Sequence, residues 1–149
     1  MFKLEGSFES VRQLLEADAK SPMPDDDLDT ELWLLLTRQI HAPRDLRRMP
    51  ESVATYFASR YLQWEVGNGG FAQAAESIPE WFELAETGYI ARGKPKSAAI
   101  IHRARSLLVA GDEAGLEGLD AEIPTDEWEI DTERVAFVRE HRTEFQSIR

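Results

Sequence analysis

The chain of 149 residues contains no cysteine, which removes disulfides, thiolate zinc sites and cysteine nucleophiles together. Its three histidines, His41, His102 and His141, are scattered and none belongs to a histidine–glutamate helix motif of the zinc-protease kind. They read as structural or surface residues. Nowhere do 18 apolar residues run together, so no membrane span is expected. Residues 1–6 show neither an apolar run nor a cleavage pattern, so no secretory signal is expected. Base is scarce: 17 lysines and arginines stand against 28 aspartates and glutamates, a formal charge of −11. Such a balance repels phosphate backbones and anionic lipid heads, and argues against direct binding to nucleic acid or membranes. With 42% hydrophobic residues the chain is too apolar for a disordered acidic tail, so the charge belongs on a folded surface. A soluble, cytoplasmic protein without a cofactor is the expectation.

Runs of β-branched residues with period 2 are missing too, and there is no internal repeat. Apolar residues recur instead at helical spacing. Ser7 is a candidate cap for a first helix carrying Phe8, Val11, Leu14 and Leu15, and Ser21-Pro22-Met23-Pro24 interrupts it. A second helix has the face Leu28, Leu32, Leu35, Leu36 and Ile40; a third has Val53, Phe57, Tyr61 and Trp64. Gly67-Asn68-Gly69-Gly70 ends the third helix, because these residues tolerate the left-handed backbone of a tight corner. A short helix restarts at Phe71. Ser77-Ile78-Pro79-Glu80 has the form of a capping box for a helix with Trp81, Phe82, Ala85 and Tyr89 inward. Pro95 opens another, striped by Ala98, Ile101, Ala104 and Leu108 and closed by Gly111. A short helix around Leu116 and Leu119 follows, then an irregular stretch. Asp131 is a candidate cap for a last helix with Val135, Val138 and Phe145 inward. One all-α domain of about seven helices, spanning residues 1–149, is expected.

Several chemistries fail in detail. Asp25, Asp27 and Asp29 have the first spacings of a calcium loop, but its sixth position is Thr30 instead of glycine and its twelfth is Leu36 instead of glutamate. The glycine corner is no phosphate cradle, since no strand precedes it and no lysine with serine or threonine follows it. Trp33, Trp64 and Trp81 sit at core spacing. Trp128 lies among acids, a candidate partner anchor or, more simply, a core residue. Two groups of base stand out, Arg38, Arg44, Arg47 and Arg48 in one connector and Arg92, Lys94, Lys96, Arg103 and Arg105 further on. Each is a candidate anion site, with ion pairing to the surplus carboxylates as the default.

What is plentiful is acid. Residues 112–133 hold Asp112, Glu113, Glu117, Asp120, Glu122, Asp126, Glu127, Glu129, Asp131 and Glu133 and no lysine or arginine. As one helix that segment would carry a charge every ~3.3 Å, against ~3.4 Å along one DNA strand and ~1.7 Å along the duplex. A second track is needed to imitate a duplex, and Asp25, Asp26, Asp27, Asp29 and Glu31 are the candidates, either on the same side or lined up by a homodimer.

The stretch Glu65-Val66-Gly67-Asn68-Gly69-Gly70-Phe71-Ala72-Gln73 resembles the Glu-Val-x-Asn-Gly-Gly-Phe-x-Gln signature of a bacterial family of DNA mimic proteins. Glu65, Asn68, Gly69, Gly70, Phe71 and Gln73 carry the likeness. Tyr61, the Pro79-Glu80-Trp81 start and the helix around Ala98 to Ala104 extend it to roughly residues 30–110. The chain departs at Ala74-Ala75, where the family usually continues with aromatic residues. The resemblance implies an all-helical fold and an acidic, dimeric surface that occupies the DNA-binding face of a transcription regulator. The alternatives are an immunity-type inhibitor of a nuclease toxin, whose active face is also basic, and a small-molecule binder or enzyme using Glu65, Asn68 and Tyr61 under the corner. One carboxylate without a partner acid, base or metal is an incomplete catalytic set.

Overall fold

A computed structural model describes residues 8–128 and 131–148, with the side chain of Asp131 left out. Of the residues named above, Ser7, Glu129 and the Asp131 side chain lie outside this description. Every regular element among the described residues is helical, as the periodicity predicts. None of these helices is long and apolar enough to cross a membrane. The chain divides into two compact units, residues 1–54 with 130–149 and residues 55–129.

Unit 1 contains α1 (Val11–Lys20), α2 (Asp25–Thr37), a 3-10 turn (Pro43–Arg48), the first turn of α3 (Glu51–Ser77), α7 (Asp131–Glu140) and α8 (Arg142–Gln146). α1 starts later than Ser7 suggests. Ser10 is its cap, accepting from the Gln13 amide at 3.1 Å, while the Gln13 side chain reaches back to the Glu9 amide at 2.7 Å. α2 packs on α1 and α7, and α8 packs on α1. Their facing stripes, Val11, Leu14, Leu15, Leu28, Leu32, Leu36, Val135, Val138 and Phe145, are all buried, and each full burial removes ~1.5–3 kcal/mol worth of apolar surface from water. The expected last helix is broken at His141 into α7 and α8.

Unit 2 contains the rest of α3, a 3-10 turn (Pro79–Trp81), α4 (Phe82–Ala91), α5 (Pro95–Ala110), α6 (Glu113–Leu119) and a 3-10 turn (Asp120–Glu122). α4 and α5 form the main hairpin and α6 lies against α5. Gly88 allows α4 to approach α3 closely, since a Cβ there would stand 2.7 Å from the Thr55 carbonyl oxygen. The expected capping box at Ser77 does not form. Ser77 still belongs to α3, Ile78 takes the cap position without a side-chain bond, and Pro79 leads a 3-10 turn instead.

Candidate partner-binding surface

The corner in α3 is narrower than four residues. Gly67, Asn68 and Gly69 remain helical and the whole break falls on Gly70, at φ 81° and ψ 180°, a conformation open essentially to glycine alone. The restarted helix begins at Phe71, whose amide donates 2.9 Å to Oδ1 of Asp120. A Cβ on Gly70 would fall 2.2 Å from Oδ2 of the same carboxylate. Gly69 serves a different contact. Gln73 folds back over it, and Nε2 of Gln73 reaches Glu65 at 3.4 Å. The motif's glutamate, glycines and glutamine are thus one structural device, and Phe71 is fully buried against Trp128 with ring centroids 5.9 Å apart.

The corner is tied to the acidic run through Asp120, which adjacency in sequence does not reveal. Other members of the run are also held by backbone amides. Asp112 caps α6, accepting from Gly115 at 2.8 Å, and Glu127 accepts from the Ser97 amide in the first turn of α5 at 2.9 Å. That position suits the positive end of the helix dipole. Base reaches the run from α5: Lys96 pairs with Asp126 at 2.6 Å and Arg103 with Glu122 at 2.8 Å. Each base holds its carboxyl below the ordinary value by its hydrogen bond and charge. All four side chains are at least half exposed, so these pairs are screened and leave the carboxylates on the outside. Glu113 and Glu117 are exposed, and Glu133, in unit 1, is half-buried.

The proposed second track is corrected by unit 1. Asp29 is buried in a two-point pair with Arg134, at 2.9 and 3.1 Å. Glu31 is also buried. Asp25 bonds Arg139 at 3.0 Å. Only Asp26 and Asp27 remain outward, one exposed and one half-buried. A helix of three turns with a leucine face on one side and an arginine-bearing helix on the other cannot present all its acids to water. Asp18, unremarked in the sequence, is the centre of this network: its fully buried carboxylate accepts from both ends of the Arg139 guanidinium, from Arg142 and from the Met23 amide. Burial pushes its carboxyl up, but the Arg139 and Met23 hydrogen bonds and the two guanidinium charges outweigh this and hold it below the usual 3.8.

One aromatic expectation is reversed. Trp64 is 53% exposed, because the buried stripe of α3 runs through Ser59, Leu62, Gln63 and Val66 instead. Trp33 is half-buried. Trp128 is a core residue, stacked on Tyr89 at 5.5 Å, with its carbonyl accepting from the Gln63 amide that also meets the Tyr89 hydroxyl. Tyr61 packs edge-on against Trp81 at 5.3 Å. Its hydroxyl is pushed above 10.0 by burial and then by the nearby charges of Glu65 and Glu80. The corner does border an open groove of about 320 Å³, lined by Val66, Gly67, Ile123, Thr125 and Trp128, none of which titrates. Among the described residues no group of three acids or histidines is placed to hold a metal ion.

Fold and surface together define an all-α acidic protein whose unit 2 holds a glycine-broken helical corner and a run of exposed carboxylates. The chain belongs to the DMP19-like protein family, which it matches over residues 47–145. That match reaches past residue 110 and takes in the whole of the acidic run, which the motif by itself does not. No curated protein and no solved structure matches the chain.

Proposed function

We propose that this protein is a non-enzymatic DNA mimic of the cytoplasm, which binds the basic, DNA-reading face of a regulator protein through unit 2. The observation that carries the proposal is that acids of the run are at once exposed and fixed. Asp112 and Asp120 are exposed, yet each is anchored by a backbone amide at 2.8 or 2.9 Å. Glu122 and Asp126 are anchored by Arg103 and Lys96. A phosphate backbone presents charge at set spacing, and a protein imitating it gains from carboxylates whose rotamer freedom is already spent. Unit 2 holds thirteen carboxylates against six lysines and arginines, a net −7. A field of that sign steers basic partners and makes association salt-dependent. Membership of the family supports the same reading. The surface set proposed for partner contact is Asp112, Glu113, Glu117, Asp120, Glu122 and Asp126, with Glu127 holding the α5 end in place.

The test is capture of proteins from lysate on the immobilised full chain, followed by elution with duplex DNA at constant ionic strength. A DNA-binding protein released by the duplex is the expected result. Capture of none, or release by salt but not by duplex, contradicts the proposal. A captured nuclease, inhibited on binding, would replace the regulator by a toxin as the partner.

A further inference from the structure

The two basic groups of the sequence meet different fates. Around α5 the bases are engaged within the protein: Lys96 pairs with Asp126, Arg103 with Glu122 and Arg105 with Glu86 at 2.7 Å, Lys94 donates to the Glu127 carbonyl at 3.0 Å, and Arg92 lies over the Tyr89 ring. In the connector of unit 1 they are not. Arg38, Arg44, Arg47 and Arg48 are all exposed, and none of the four pairs with a carboxylate among the described residues.

Their placement is built by the turn. The 3-10 helix Pro43–Arg48 starts on proline, and Leu46 is buried as its anchor. Asp45 closes it, with Oδ2 accepting from the His41 amide at 2.7 Å and the Ala42 amide at 3.0 Å. Those two bonds hold the Asp45 carboxyl below its ordinary value, helped by the charge of Arg44. Side chains three apart eclipse on a 3-10 helix, so Arg44 and Arg47 stand one above the other. With Arg48, Asp45 and Gln39 they line a cleft of about 460 Å³.

Three guanidinium groups on one short turn repel one another. In a chain with 28 carboxylates opposite charge is abundant, so three unmatched neighbours call for an anion from outside. Asp45 offsets one of the three charges and leaves a surplus of two. A carboxylate ligand would satisfy half of it, whereas a phosphoryl group matches it and fits the planar two-point donor fork of arginine. A long nucleic acid strand is disfavoured by the net charge of −11. We propose that the Arg44–Arg47–Arg48 cleft binds a small molecule through its phosphoryl group or groups. This is independent of the DNA-mimic reading, since the cleft belongs to unit 1 and the mimic surface to unit 2.

The experiment is titration of the full chain with inorganic pyrophosphate, and separately orthophosphate, at ionic strength held constant with chloride, followed by calorimetry and backbone amide shifts. Saturable binding is expected, with shifts centred on residues 39–48. The Arg44→Gln/Arg47→Gln double variant should bind roughly tenfold or more weakly. The control Arg12→Gln/Lys20→Gln removes the same charge from exposed positions of the same unit and should bind as the native chain does. Circular dichroism confirms that both variants keep their helices. No saturable binding, equal weakening in both variants, or tighter binding of a single-stranded oligonucleotide than of pyrophosphate would each overturn the proposal.

Discussion

Both units carry excess acid, but they spend it in opposite ways. Unit 1 has fifteen carboxylates against eleven lysines and arginines, a net −4, and unit 2 has thirteen against six, a net −7. In unit 1 the decisive acids point inward. Asp18 and Asp29 are 0% and 4% exposed at the side chain and are held by Arg139, Arg142 and Arg134. In unit 2 the paired acids Glu122 and Asp126 are 50% and 61% exposed. A carboxylate's role therefore follows its burial more than the number of acids around it. Taken out of water, it is an obligate half of an ion pair; left in water, it contributes field.

The sharpest way to break this contrast is one substitution type made in both units. Arg134→Met removes the two-point ion pair of the buried Asp29 and should cost ~3–5 kcal/mol, enough to shift the urea midpoint grossly. Arg103→Met in unit 2 should leave the midpoint unchanged within error. Equal effects would erase the distinction.

The corner gives the next largest effect. Gly70→Ala forces a side chain into a left-handed, extended conformation and onto Asp120, and should cost roughly 2–3 kcal/mol. Gly69→Ala meets mainly the movable end of Gln73 and should cost well under half as much. Thermal unfolding of the pair checks the order.

Acid should unfold unit 1 first. The Asp18 carboxyl lies below its unfolded value of 3.8, so its support is complete above that pH and is withdrawn as pH falls through the folded value. Amide spectra between pH 5 and pH 2 should lose unit 1 signals before those of unit 2, and Asp18→Asn should remove the difference. Simultaneous loss in the native chain would contradict it. The smallest effect is expected from Lys96→Gln, which frees the exposed Asp126. No change in the urea midpoint should be resolved, since both side chains of the pair are more than half exposed.

The helices were legible because their stripes are local. Leu28, Leu32, Leu35 and Leu36 name their own neighbours at one-turn spacing, and a glycine-rich corner announces a positive φ. The acid was less legible because its partners are distant. Asp29 meets an arginine 105 positions away and Glu122 one 19 positions away, so an acidic segment without local base is not an unpaired one. Trp64 misled for another reason. The buried stripe of α3 passes through Ser59 and Gln63, polar residues that the apolar pattern skips, and this rotates the face away from the tryptophan. The capping box at Ser77 failed because α3 runs on through Ser77 itself, which leaves the cap position to Ile78.

On this reading position, and not total charge, decides which acid reaches the partner. The direct measurement compares two variants of equal charge change in the duplex-eluted capture assay. Glu113→Gln, Glu117→Gln, Glu122→Gln and Asp126→Asn remove four charges from unit 2, and Glu9→Gln, Glu16→Gln, Asp26→Asn and Asp27→Asn remove four from unit 1. Loss of the DNA-displaceable partner in the first variant and retention in the second is the expected result. Equal loss, or loss in the second alone, would contradict it.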